Sequence, residues 1–318
     1  MRVSGLEAIQ SVTAGKKVRS SRSRLLLQNI PLLVMFIPGV LYYVVFKYIP
    51  IGGVVIAFKD YNFNDGIINS PWVGLKHFRI LFSNPQSSHI IVNTLWLSVL
   101  RIVFGFPFPI ILAIMLNEVR KSWFKRTVQT MVFIPHFFSW VIVGGIVLTI
   151  FGQESGTLNI LLKQWTGQAY PFLYQASSWV AVYIGSGTWK EAGFASIIYL
   201  AALAAIDPGL YEAAAIDGAS KARQIWHITL PGISTVIAMM FILSLGGVMD
   251  VSFDQAYILG NSVVADVSEV ISTWIYKFGL QGGQFGITTA MGLFESLVAL
   301  ILITAGNAVA RRFGKELW

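Results

Sequence analysis

The stretch Y-E-A-A-A-I-D-G-A-S-K-A-R, Tyr211 to Arg223, is a polar, helix-prone island between two apolar segments. Upstream, Asp207-Pro208 reads as a helix start, because aspartate accepts a hydrogen bond from the first free amides and proline at the first helical position loses no donor. Asp217-Gly218 reads as the stop, since glycine takes the left-handed conformation that closes a helix. The pattern predicts a helix over Pro208 to Ile216 and a glycine turn. A second short helix, Lys221 to Thr229, follows with Ser220 as its cap, before Leu230-Pro231 opens the next apolar run.

The flanks of the island set the fold class. Of 318 residues, 55% are hydrophobic and 12% charged, against about a quarter charged in a soluble domain. Several apolar runs reach or approach the roughly 20 residues that cross ~30 Å of hydrocarbon as a helix. A membrane β-barrel would instead show alternating segments of about ten residues. The sequence therefore predicts an all-α, polytopic membrane protein with about six transmembrane helices. The spans run near Ile30–Phe46, His89–Leu116, Thr127–Phe151, Ser178–Ala205, Leu230–Asp250 and Phe285–Val309. Apolar residues resume over Ile51–Phe58 after Pro50, so the first span either ends near Phe46 or runs on through them.

The cations orient the bundle. With the N-terminus inside, fifteen Lys and Arg residues fall on the inner side, among them Arg120, Lys121, Lys221, Arg223 and Arg311. Six fall outside, at Lys47, Lys59, Lys76, Arg79, Lys163 and Lys277, on longer loops. That asymmetry follows the positive-inside rule, so both termini and the Tyr211 island are predicted to be cytosolic. The formal charge of +8 thus reflects topology rather than nucleic-acid binding. The absence of cysteine excludes disulfides and Cys-ligated metal sites. Residues 1–28 read as a retained basic cytosolic tail, 29–88 as the first helix with an outer loop, 89–312 as the core of five helices, and 313–318 as a short cytosolic tail.

The outer segments allow two readings each. Pro71 to Phe82 alternates apolar groups with cations, which fits a helix lying in the interface or a loop helix packed on the bundle. Trp165, Tyr170, Phe172 and Tyr174 fit an aromatic belt or a surface for an external partner.

Glu212-Ala213-Ala214, three residues, Gly218, nine residues, Ile228, one residue, then Leu230-Pro231 resembles the EAA loop of permease subunits in binding-protein-dependent ABC importers. Tyr199–Leu203, Trp226–Gly232 and Phe253–Leu259 are similar to carbohydrate permeases related to the maltose system. Tyr48-Ile49-Pro50, Ile56–Tyr61 and Val73-Gly74-Leu75 are similar to members that import oligosaccharides released from complex polysaccharides. The resemblance implies that the loop at 207–231 is a coupling helix entering a cleft on a cytosolic ATPase. Glu212 would then meet an ATPase cation, Ala213 and Ala214 would permit close packing, and Asp217, Gly218 and Ala219 would form the turn. It implies as partners a second homologous permease subunit in a heterodimer, two ATPase subunits, an extracytoplasmic solute-binding protein, a sugar and the lipid bilayer of the bacterial cytoplasmic membrane, with no nucleic acid. ATP and Mg would be bound by the ATPase subunits, since this chain has no G-x-x-x-x-G-K-[ST], and it would have no cofactor, metal or catalytic residue of its own.

Charges inside spans are costly enough to mark function. Arg101 and Glu295 fall near mid-membrane, and Lys190, Glu191 and Asp250 toward the outer side. With Trp140, Trp189 and His136 they are the candidates for the translocation path. Arg101 with Glu295, and Lys190 with Glu191, fit structural ion pairs, contacts to the other permease, or substrate contacts; Trp140 and His136 fit helix packing as well. An ion-gradient-driven secondary transporter would use the same charges, but no matched inverted halves are evident and the EAA pattern would go unexplained. An intramembrane enzyme lacks its constellation, with histidines only at 77, 89, 136 and 227.

Overall fold

Prolines decide where the helices of this chain stop and where they run through. In the computed structural model the described residues are 29–312 and 314. The tails expected over 1–28 and 313–318 lie, apart from Gly314, outside them. The chain divides into two units, one ending at Val54 and one beginning at Val55. In the first, the helix Ile30–Tyr43 passes into a π-helical segment, Val44–Tyr48, and then Ile49–Ile51.

Among the described residues, four helices are long and apolar enough to cross a membrane: Ile30–Phe58, Pro85–Glu118, Lys221–Gly246 and Phe285–Arg311. Two bent pairs, Ser122–Phe137 with Trp140–Phe151 and Ala176–Ala204 with Pro208–Ile216, bring the number to six. The first candidate span takes in Ile51–Phe58, the longer of the two readings of that run.

Three π-helical segments end two residues before a proline: Val44–Tyr48 before Pro50, Arg101–Gly105 before Pro107, and Ile225–Thr229 before Pro231. A proline ring clashes with the carbonyl four residues back and offers it no N–H. The wider i→i+5 turn relieves both conflicts, so the helix crosses the proline instead of stopping. This corrects the expectation of a separate helix over Lys221–Thr229. That segment is the first part of one helix, Lys221–Gly246, which ends four residues before Asp250.

The third span is also corrected: Thr127–Phe151 is not one rod. Pro135 sits in a 3-10 turn, Ile134–Phe137, and Phe138 and Ser139 are extended. Ser139 then caps a new helix by accepting from the Ile142 amide (3.4 Å), and the two halves meet at 108°.

The unit from Val55 onward has three apolar clusters. One joins Leu97, Val143, Trp179, Tyr183 and Val251; another Leu81, Ile90, Met249, Ile271 and Met291; the third Ala113, Tyr199, Leu203 and Ile233. The segment between the last two spans contributes heavily. Its short helices Phe253–Leu259, Ala265–Ser268 and Ile271–Trp274 fold back into the bundle, with Val270 and Ile271 fully buried. The Trp179 indole donates to the Leu259 carbonyl (2.8 Å), Gln255 donates to the Tyr183 carbonyl (2.6 Å), the Ile271 amide donates to Thr94 Oγ1 (3.0 Å), and Asn93 donates to the Asp266 carbonyl. Lys76–Ser83 packs against Phe285–Arg311 with His77 and Leu81 buried, which favours the packed-helix reading of that loop.

Candidate coupling loop and translocation path

Each turn of the island has an assigned hydrogen bond. Asp207 Oδ1 accepts from the Gly209 amide (2.9 Å), so the helix starts where its capping pair predicts and covers Pro208–Ile216. At its end the Gly218 amide donates to the Ala215 carbonyl (3.1 Å) and the Ala219 amide to the Ala214 carbonyl (2.9 Å). With Gly218 at φ +77°, these are the two bonds of a Schellman motif, in which glycine takes the left-handed position. Ser220 Oγ accepts from the Arg223 amide (3.4 Å), starting the next helix. The Tyr211 hydroxyl meets Thr229 Oγ1 (3.0 Å) and clips the two helices together. Lys221 pairs with Glu118 (2.9 Å), at the end of the second span.

The clip and caps leave one surface bare. Glu212, Ala213, Asp217 and Gly218 are exposed, while Ala214 and Ala219 are half-buried. Among the described residues no cation pairs with Glu212. In the same loop Ile216 is 87% exposed, Trp226 69% and Leu210 53%. The charged and small residues of the island do not disclose these three; an isoleucine two residues before the glycine stop and a tryptophan three residues after Arg223, in an otherwise polar loop, are the signal for them. Substituting Gly218 by alanine is expected to destabilise the turn by about 1 kcal/mol, because a Cβ is strained in the left-handed region. Amide exchange at Gly218 and Ala219 should then speed up by roughly fivefold; unchanged exchange would refute the assignment of the turn.

The path candidates separate into groups. His136, Trp140, Lys190 and Glu191 come together at the bend of the third span. Lys190 Nζ donates to Glu191 Oε1 (2.8 Å) and to the His136 carbonyl (3.1 Å), and lies 5.5 Å from the Trp140 ring centroid. His136 Nδ1 meets Glu191 Oε2 (2.8 Å), and its ring stacks on Phe194 at 4.0 Å. Trp189 is exposed and lines a cavity of about 920 Å³ with Leu100, Phe104, Thr188 and Gly193. Asp250 and Glu295 are electrostatic neighbours. The pairing of Arg101 with Glu295 is corrected: among the described residues no ion pair joins them. Nor does any group of three or more His, Asp or Glu side chains there stand ready to hold a metal ion.

Four to six candidate membrane spans among the described residues, a charged cluster at a span's bend and an exposed helix–glycine–helix define a membrane transport component. The family model of the binding-protein-dependent transport system inner membrane component matches residues 105–317, and the chain belongs to that family. It is a multi-pass permease component of an ABC transporter. The polygalacturonan/rhamnogalacturonan transport system permease protein YteP of Bacillus subtilis (strain 168) is 43% identical over 309 residues, covering 97% of this chain and 96% of that protein. The crystal structure of a bacterial ABC transporter involved in the import of the acidic polysaccharide alginate holds a chain 40% identical, with a TM-score of 0.83, covering 90% of this chain and 97% of that one. A chain of the bacterial alginate ABC transporter in complex with alginate pentasaccharide-bound periplasmic protein is also 40% identical, with a TM-score of 0.84 and coverage of 92% and 97%.

Proposed function

We propose that this chain forms half of the translocation path of an ATP-driven importer of oligosaccharides released from complex polysaccharides. The observation that carries the coupling is the exposed helix Pro208–Ile216, whose unpaired Glu212 and bare Ile216 stand on a rigidly capped turn. Small residues let another protein's backbone approach, an apolar tip fills a groove, and one carboxylate pairs with a cation at its rim. The cation asymmetry supports a cytosolic place for this loop and both termini, in the bacterial cytoplasmic membrane. Two ATPase subunits receive this loop and its counterpart on a second, homologous permease; they bind ATP and Mg and perform the hydrolysis. A solute-binding protein delivers the sugar, a role supported by the periplasmic-protein complex of the alginate transporter. ATP-driven closure of the ATPases moves the loop as a lever, and the bundle follows. Coupling to an ion gradient would leave the exposed helix without a task.

The test is reconstitution of the full importer in vesicles with Glu212→Ala. Stimulated ATPase activity and sugar uptake should both fall by on the order of tenfold, the size of a desolvated interface contact. Normal uptake by a vesicle preparation in which the altered subunit is assembled would refute coupling through this loop.

A further inference from the structure

Arg101, whose electrostatic neighbour is Tyr183, is a mid-span cation that no carboxylate pairs with among the described residues. It sits halfway along Pro85–Glu118, a helix of 34 residues, so each helix end is roughly 24 Å away at 1.5 Å per residue. Even the nearer hydrocarbon boundary, about 15 Å from the midplane, is too far for an arginine to snorkel. The side chain is exposed, and among the described residues no carboxylate pairs with it. The other charges within spans are engaged differently: Lys190 and His136 hold Glu191, and Asp250 and Glu295 neighbour each other.

Local structure places Arg101 beside a cavity. The residue opens the π-helical segment Arg101–Gly105, and such segments recur at functional sites. One turn on, a Cβ on Gly105 would lie 3.8 Å from Arg101 Cγ and 3.4 Å from Thr188 Oγ1, so the glycine keeps the guanidinium stem and the hydroxyl close. Thr188, with the flanking Leu100 and Phe104, lines the 920 Å³ cavity.

We infer that Arg101 is a carboxylate-recognising residue of the translocation path, which assigns the transported sugar to the acidic, uronate-bearing oligosaccharides. The inference rests on the oligosaccharide-importer reading above. A planar guanidinium matches a carboxylate through two parallel hydrogen bonds. A cation held in low dielectric without a protein anion gains most from an anion that enters and leaves. The solved relative that shares 40% of its sequence with this chain imports an acidic polysaccharide.

The test uses the assembled importer in vesicles, supplied with its binding protein and trigalacturonate, with Arg101→Gln and Arg101→Lys. Arg101→Gln should lower trigalacturonate uptake at least tenfold, the loss expected for a charge-assisted hydrogen bond. Arg101→Lys, which keeps the charge but loses the two-pronged fork, should fall between the native importer and Arg101→Gln. All three should co-purify with the second permease. Native uptake by Arg101→Gln would overturn the inference, as would equal failure of both variants. Loss of the second permease from Arg101→Gln would overturn it too, by identifying an ion pair between subunits. A native importer that takes up neutral arabinotriose but not trigalacturonate would overturn the acidic class alone; one that takes up neither would remove the importer reading with it.

Discussion

Replacing Gly193 by valine is expected to abolish accumulation of the folded chain in the membrane, and replacing it by alanine to lower its thermal midpoint steeply. Gly193 lies in the helix Ala176–Ala204, pressed against the end of the helix Ser122–Phe133. A Cβ built there would overlap the Val132 carbonyl and come within 3.1 Å of the Phe133 amide nitrogen. Both are backbone atoms, so no rotamer change makes room and the two helices must part. Overpacking by a single methyl among movable side chains costs about 1–3 kcal/mol; against backbone the upper end is the floor. The opposing gain is small, since alanine favours a helix over glycine by about 1 kcal/mol. Gly185 in the same helix supplies the control, because among the described residues nothing beyond its own stretch of helix lies within 4 Å of its Cβ position. Gly185→Ala should therefore be neutral or stabilising. The comparison is read from the yield of monodisperse chain and its melting in detergent. If Gly193→Ala and Gly185→Ala melt together, the close helix contact does not exist.

The same contact separates what a linear reading captures from what it misses. The island at Tyr211 was legible because its signals are local: Asp207-Pro208, Gly218 and Ser220 each act within four residues of themselves. Span number and the resumed run after Pro50 were legible because hydrocarbon thickness imposes a length. Proline was harder. Pro135 breaks its span whereas Pro107 and Pro231 do not, and the difference lies in the π turn that precedes the latter two. No pattern of residue types at those positions announces a π turn. The fold-back of Phe253–Trp274 was also hidden, since its helices are too short to show a period and are held by distant partners such as Thr94 and Trp179. Pairs of charges were read by membrane depth, which found Lys190 with Glu191 because they are adjacent, and offered Arg101 with Glu295, which depth alone cannot place on facing sides.

Lys190→Met is expected to be strongly destabilising, and removing the neighbouring carboxylate as well should recover much of the loss. The Lys190 side chain is 8% exposed, and its ammonium serves two acceptors at once, Glu191 Oε1 and the carbonyl of His136. That carbonyl belongs to the 3-10 turn just before the 108° bend, where helical hydrogen bonding has already lapsed. Methionine fills a similar volume but donates nothing, so the carbonyl and one carboxylate oxygen lose their donor together. Truncating one partner of a buried pair costs about 3–5 kcal/mol. Glu191 is 47% exposed, so solvent recovers part of this and about 1–3 kcal/mol remains. In Lys190→Met with Glu191→Gln no unpaired negative charge is left, and the amide retains an acceptor for His136 Nδ1–H. The double variant should therefore melt above Lys190→Met alone, a coupling visible in a double-mutant cycle on the assembled importer. Strict additivity of the two substitutions would mean that Lys190 fills space at the bend without pinning it. Recovery would show that Gly193 and Lys190, one turn apart, perform complementary tasks: the glycine brings the fourth span onto the third, and the lysine fixes the angle at which the third turns away.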